Sequence, residues 1–257
     1  MKYWRETLAV TQRILIELLR RRRSLVFWAI FPVVLLILNS LILQERLQIT
    51  LAEAYTQAAP STLVGAALFF SALGGSVATV VSEREQKTLK RLFLSPLSGV
   101  SYFLGICVAY GAIGLGQTAL VYAIALSQGA TLDGNPLTNL LIVLLSIAAY
   151  VGVGFVLGTQ LARRTEDVNA LIAAFGIPLM ILGGTFLPTA FFPDSLAQLT
   201  RFNPIYHMIE ALSGVVVEGD TLAEVGGHVQ FLSLFAVVMV VAGWLAYRRM
   251  VQVERQL

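Results

Sequence analysis

The sequence predicts an all-α membrane protein with six transmembrane helices, and three observations carry the prediction. Of its 257 residues, 57% are apolar and 13% charged, about half the charged share of a soluble domain. Six runs without Asp, Glu, Lys or Arg, at residues 24–44, 60–82, 92–132, 134–162, 168–193 and 225–247, each exceed the roughly 20 residues an apolar helix needs to cross a bilayer. Lysine and arginine are spread unevenly over the connections. Seven precede residue 24, four lie in the second connection, two in the fourth and three in the tail, so sixteen of the eighteen share one side. The positive-inside rule makes that side, with both termini, cytoplasmic. Reading 92–132 as two spans would destroy the asymmetry, so it holds one. The spans are placed at 24–44, 60–82, 100–127, 136–162, 168–187 and 228–247, within a single domain covering 1–257.

Residues 3–20 have helical period, with Trp4, Leu8, Thr11, Leu15 and Leu18 on one stripe. This pattern predicts a helix lying in the cytoplasmic interface with Trp4 at headgroup level. The first 23 residues read as retained rather than cleaved, because the apolar stretch that follows is too long for a signal peptide and no small-residue cleavage site appears after it. Four arginines at 20–23 anchor the first span. Asn39 within it is placed near the outer edge. Residues 44–59 form a short outer connection, and Pro60 opens the second span, as proline does at a first helical turn. Ser71, Gly74, Gly75 and Ser76 give that span a face of small residues suited to close helix contact.

The densest charge in the chain follows. Ser82 with Glu85 three residues on is a capping-box pattern, and Glu83 stands four residues before Lys87 in the favourable ion-pair order. Leu89, Leu92 and Phe93 form an apolar stripe, Arg84, Lys87 and Arg91 share another side, and Pro96 closes the helix. Residues 83–96 thus read as a capped amphipathic helix between two spans, built for a partner. A solvated loop obeying the positive-inside rule is the alternative.

The third span, 100–127, leads through a turn-rich outer loop to the fourth, 136–162, where Gly154 and Gly158 make a GxxxG packing surface. After a tight inner connection at 163–167, the fifth span, 168–187, is interrupted by Gly176, Pro178 and Gly183-Gly184. Such breaks are tolerated where protein or water satisfies the freed backbone groups, so a bend or a lining role follows. Residues 188–227 form an outer region with two short apolar pieces, after Pro193-Asp194 and after Asn203-Pro204. Both are too short to span, and read as interfacial or re-entrant helices. A folded outer cap without a ligand is the alternative there. The sixth span, 228–247, ends before Arg248-Arg249 and a short tail.

Several chemistries lack their residues. No GxxxxGK[ST] loop is present to cradle nucleotide phosphates, and no HExxH or cysteine–histidine cluster to hold zinc. Cys107 is the only cysteine, which removes a disulfide framework. His207 and His228 read as interfacial side chains. The assigned spans hold no Asp, Glu, Lys or Arg, the groups that proton-coupled carriers generally need at membrane depth, so energy for uphill transport would have to enter from a partner. The formal charge of +3 and pI near 9.2 point to anionic lipid rather than nucleic acid.

Six spans, an amphipathic N-terminal helix and the segment Glu-Arg-Glu-x-x-Thr-Leu-x-x-Leu-x-x-Ser-Pro-Leu from residue 83 together resemble the ABC-2 permeases, the membrane subunits of ABC exporters. The broken fifth span followed by Phe202-Asn203-Pro204-Ile205-Tyr206 is also similar to that family. Lys87 departs from the glycine usual before Thr88, and Lys90 from a frequent acidic residue. The resemblance implies a homodimer, or a dimer with a sister subunit, bound to two separately encoded ATPase subunits. ATP and magnesium would sit in those subunits, with no cofactor on this chain and no enzymatic site of its own.

Glu83, Arg84, Glu85, Thr88, Leu89, Leu92, Ser95 and Pro96 would then form the coupling helix seated on the ATPase. The second and fifth spans would line the path, through Phe69, Phe70, Leu73, Val77, Phe175, Met180 and Phe186. Phe202, Asn203, Pro204 and Tyr206 would belong to the outer re-entrant region. The implied setting is a bacterial inner membrane, and the implied activity export of an amphipathic drug, natural product or lipid. Polysaccharide or lipid-linked glycan export is the alternative within the class, and a non-transporting membrane scaffold the alternative outside it.

Overall fold

The computed structural model describes residues 2–20, 22–86 and 97–256. Nine helices make up the described fold, with no strand among the described residues. Helix α1 (Lys2–Arg20) is followed by six helices long and apolar enough to cross a membrane: α2 (Arg22–Leu47), α3 (Leu51–Glu85), α4 (Gly99–Ser127), α5 (Pro136–Leu161), α6 (Thr165–Leu182) and α9 (Gly226–Gln256). Between α6 and α9 lie a single 3₁₀ turn (Thr189–Phe191), α7 (Asp194–Thr200) and α8 (Pro204–Ser213, extended by a wide turn over Gly214–Glu218).

The second span differs most from expectation. It begins at Leu51, so the predicted outer connection 44–59 is helical except for a three-residue break, in which Gln48 adopts φ 54°. Thr50 caps α3: its Oγ1 accepts from the Glu53 backbone N–H at 3.2 Å while the Glu53 carboxylate accepts from the Thr50 N–H at 2.8 Å. This reciprocal capping box satisfies two of the free donors at the helix start. Pro60 therefore sits inside the helix. It has no N–H to donate to the preceding turn, and three residues later the backbone widens to i→i+5 bonding over Leu63–Gly74 before returning to α over Gly75–Glu85. A helix of 35 residues is roughly 50 Å long, more than a hydrocarbon core of about 30 Å requires.

Helix α3 is the most buried of the six spans and the axis of the bundle. Small residues let its neighbours approach. A Cβ on Gly154 of α5 would lie 2.0 Å from Ser76 Oγ, and one on Gly158 3.2 Å from Val80 Cβ, so the GxxxG pair does form a packing face, and its partner is α3. Gly75 is overlain by Tyr110 of α4 and Trp28 of α2 in the same way. Helices α5 and α9 meet at Gly152 and Gly243, where a Cβ on Gly152 would reach the Met239 carbonyl carbon at 2.6 Å.

The remaining boundaries also shift. Helix α6 begins at Thr165 and stops at Leu182, because Gly183 and Gly184 turn the chain, Gly184 with φ 88°. It widens over Ile172–Gly176, at the predicted interruption. Helix α9 continues through Arg248-Arg249 instead of ending at Tyr247, which is buried. Along α1 the buried residues are Thr7, Val10, Thr11 and Ile14, packed on α4 at Gly105. Only Thr11 of the expected stripe is fully buried, and Trp4 is 64% exposed. The face of α1 that meets α4 is set by the notch at Gly105, where any side chain would strike Val10 at 2.5 Å.

Candidate functional site

The charged residues that end α3 converge on one end of the bundle, where α1, α4, α5, α6 and α9 also meet. Glu83 is 7% exposed. Its Oε1 accepts from Arg13 Nη2 of α1, and its Oε2 from the Tyr102 hydroxyl of α4. The Tyr102 ring stacks on Tyr247 of α9 at 5.3 Å, and Tyr247 in turn packs edge-on against Phe155 of α5. A carboxylate taken out of water in this way is held by a cation and a phenol together, the arrangement that offsets desolvation of a buried ion pair.

The next two residues turn to other neighbours. Arg84 Nη1 donates to the Ala162 carbonyl at 3.4 Å, beyond the end of α5. Glu85 accepts from the Thr165 hydroxyl at 2.5 Å and from the Thr165 N–H at 3.2 Å, at the first residue of α6. A carboxylate at a helix N-terminus also meets the positive end of the helix dipole. Asp167 closes the same junction by accepting from the Arg163 and Arg164 N–H groups at 2.8 and 2.9 Å. Helix α1 has a second attachment through Glu6, which accepts from Ser101 Oγ at 2.8 Å and the Ser98 N–H at 3.2 Å. These hydrogen bonds, Ser101 first, hold the Glu6 carboxyl below its ordinary range.

This geometry corrects one expectation, the capping box at Ser82 and Glu85. Ser82 is not a helix cap: α3 runs unbroken through it, and its hydroxyl accepts from Gln86 Nε2 at 3.0 Å. The Glu85 carboxylate reaches forward to α6 instead of back to Ser82, and the Glu83 carboxylate is taken by Arg13 and Tyr102. Lys87, Thr88, Leu89, Lys90, Arg91, Leu92, Phe93, Ser95 and Pro96 lie outside the described residues, and with them most of the helix expected at 83–96.

The seven residues named for a path do not share one surface of the chain. Phe69, Leu73, Val77 and Met180 are buried in the core, with Met180 at 0% exposure, whereas Phe175 is 67% and Phe186 is 42% exposed. Helices α3 and α6 do meet, at Gly176, where a Cβ would lie 2.4 Å from Phe69 Cζ. The Phe69 ring stands edge-on to Tyr150 of α5 and to Phe70, which packs on Phe31 of α2. Phe186 falls beyond the end of α6.

At the opposite end Asn203 joins two elements. Its Oδ1 accepts from the Ile205 N–H at 3.0 Å, capping α8 ahead of Pro204, and its Nδ2 donates to the Leu179 carbonyl of α6 at 2.7 Å. Helix α8 then buries Ile205, Met208, Ile209 and Leu212, continuing to Val215 and Val216 in its wide turn. Phe202 is exposed and Tyr206 half-buried. One pairing was not legible in the sequence: His207 of α8 and His228 of α9 face each other with their Nδ1 atoms 3.0 Å apart. Twenty-one residues separate them, and no periodicity links the two helices.

Comparison with known proteins agrees with this architecture. The family described as ABC-2 family transporter protein matches residues 37–245. The chain is similar to a probable multidrug ABC transporter permease, YbhR of Escherichia coli, with 25% identity over 67% of this chain and 47% of that protein. It is similar to the inner membrane transport permease YhhJ of the same organism, with 24% identity over 62% and 42% of the two chains. The linearmycin resistance permease protein LnrN of Bacillus subtilis shares 22% identity over 68% and 45%. The chain thus spans less than half the length of these relatives.

Proposed function

Because the chain belongs to the ABC-2 transporter family, we propose that it is the membrane-spanning permease subunit of an ATP-driven exporter, moving an amphipathic drug, natural product or lipid out of the cytoplasm or inner leaflet. The observation that carries the reading is the three-way clamp at residues 83–85. Glu83 holds α1 and α4, Arg84 the end of α5, and Glu85 the start of α6. A force applied to the residues just after α3 therefore reaches four helices through short polar contacts. A subunit driven from outside, with no phosphate-binding loop of its own, needs such a junction.

In this proposal the basic end is cytoplasmic, and residues 88–96 form the surface that meets the ATPase, through Thr88, Leu89, Leu92, Ser95 and Pro96. Glu83, Arg84 and Glu85 act as positioning residues behind that surface. Two ATP-binding subunits, holding the ATP and magnesium, would pair with two copies of this chain in an inner membrane. The exposed Phe175 and Phe186 would then face the second copy or the path, with the buried Phe69, Leu73, Val77 and Met180 supporting that wall. The drug-directed names of two relatives support the cargo class.

The test is co-purification with the ATP-binding subunit encoded beside this gene, followed by ATP hydrolysis in lipid discs across amphipathic drugs, lipids and glycans. Stimulation by drugs or lipids is expected. Stimulation by glycans alone would replace the cargo, and absence of a bound ATPase would replace the permease reading with that of a scaffold.

A further inference from the structure

Two imidazoles meet at the end of the bundle opposite the charged clamp. His207 lies on the second turn of α8 and His228 on the first turn of α9, each half-buried, with Nδ1 to Nδ1 at 3.0 Å. The other nitrogen of His207, Nε2, is 2.9 Å from the Arg201 carbonyl oxygen. A carbonyl only accepts, so Nε2 must carry the proton. The Nδ1 of neutral His207 is then a lone pair, and the His228 Nδ1–H donates to it. Phe231 stacks on His207 at 3.9 Å and Tyr206 stands edge-on to both imidazoles, so aromatic faces enclose the pair.

This bond tolerates one added proton, shared along the Nδ1–H···Nδ1 line, but not two. With both rings charged, each Nδ1 carries a hydrogen, no acceptor remains, and two like charges face each other across a hydrogen-bond distance. We infer that His207 and His228 form an acid-released latch fastening α8 to the first turn of α9. In either state the ring of His207 keeps its stack on Phe231, further along α9, and its bond to Arg201, so acid breaks only the hydrogen bond that ties α8 to the first turn of α9. Gly226 and Gly227 precede His228, and a Cβ added to either would meet no neighbour within 4 Å, so no side chain at these two positions pins that turn of α9. The latch rests on this geometry alone and stands whichever cargo the protein carries.

The other groups acting on His207 are few. Glu210, on the same helix, accepts from Thr189 Oγ1 at 3.0 Å, and burial pushes its carboxyl above the ordinary range. Helices α3, α5 and α6, also packed on α8, add no charged partner to His207 among the described residues. Burial holds the His207 imidazole below its ordinary value of 6.5. A histidine lowered in the folded state contributes stability above its unfolded value, and that contribution is lost as pH falls below it. The window therefore opens below about pH 6.5.

The experiment uses the full chain in lipid discs. Amide hydrogen exchange over residues 204–213 is compared at about pH 7.5 and about pH 5, corrected for intrinsic exchange chemistry. A loss of about tenfold protection on acidification is expected. His228→Gln keeps a donor for His207 but cannot charge, and should hold its protection at both pH values. Glu210→Gln should retain the acid response. Equal protection at both pH values in the unmodified protein would overturn the latch, as would an undiminished acid loss in His228→Gln or its abolition in Glu210→Gln. Should the variants fail to fold, ¹⁵N spectra of the histidine side chains in the unmodified protein decide. Two coupled titration steps are expected, and independent single steps would refute the pair.

Discussion

Glu83, Arg84 and Glu85 are consecutive, yet on a helix they project in three directions about 100° apart, and each finds a different element. Glu83 is the most exposed to mutation. Glu83→Ala would leave the Arg13 guanidinium, whose Nε has no hydrogen-bond partner among the described residues, without the carboxylate it donates to. Breaking a buried pair costs about 3–5 kcal/mol, and the low end applies because the Arg13 side chain keeps 34% exposure. The expected result is a lowered thermal midpoint by detergent size-exclusion, with the double change Arg13→Met, Glu83→Leu less destabilised than the sum of the singles. At the other end, Asn203→Ala removes a helix cap and a bond to the Leu179 carbonyl at once, worth about 2 kcal/mol together. The same thermal assay checks it. The density of charge at 83–85 was legible from its residues. Its partners Arg13, Tyr102 and Thr165 were not, since they lie 70, 19 and 80 positions away.

Element by element, the two Thr/Ser-x-x-Glu patterns make an instructive pair. Thr50-Leu51-Ala52-Glu53 caps α3 and Ser82-Glu83-Arg84-Glu85 does not, though both have the spacing. A capping box needs free N–H donors, which exist only where the preceding chain is non-helical. The break at Gln48 supplies them to Thr50, whereas at Ser82 the apolar run upstream is already helix. The outer connection was misread for the same reason: Pro60 suggested a start, but a start was available nine residues earlier. Contacts between elements turn on glycine. Gly152→Val would drive a side chain into the Met239–Val240 backbone of α9, which has no rotamer to yield. A loss above the usual 1–3 kcal/mol of overpacking is expected, read as a collapse in monodisperse yield. Gly116, with nothing near its Cα position, should accept alanine with no such loss.

For the whole molecule, the proposed topology of six spans puts α1 and the end of α9 on one side of the membrane, and the positive-inside rule predicts that this side is cytoplasmic. A single cysteine at Leu222, which is exposed, with Cys107 replaced by serine, should react with a membrane-impermeant maleimide in intact cells. A cysteine at Arg163 should react only after permeabilisation. The reverse pattern would invert the bundle, and with it the assignment of residues 88–96 to the ATPase and of the histidine pair to the exterior.

Composition, run length and charge asymmetry determined the helical class, the number of spans and the end at which charge collects, because bilayer thickness and backbone satisfaction leave a sequence so apolar few other options. The GxxxG pair and the interruption of the fifth span were local enough to read as well. Only the tertiary structure decided that Glu83 is buried against Arg13 and Tyr102, that α3 is the axis, and that Phe175 and Met180 of one helix face opposite environments. It alone brought His207 to His228. Each of these depends on how a helix is rotated against its neighbours, and that rotation is set by glycine notches and side-chain volumes distributed over several helices at once.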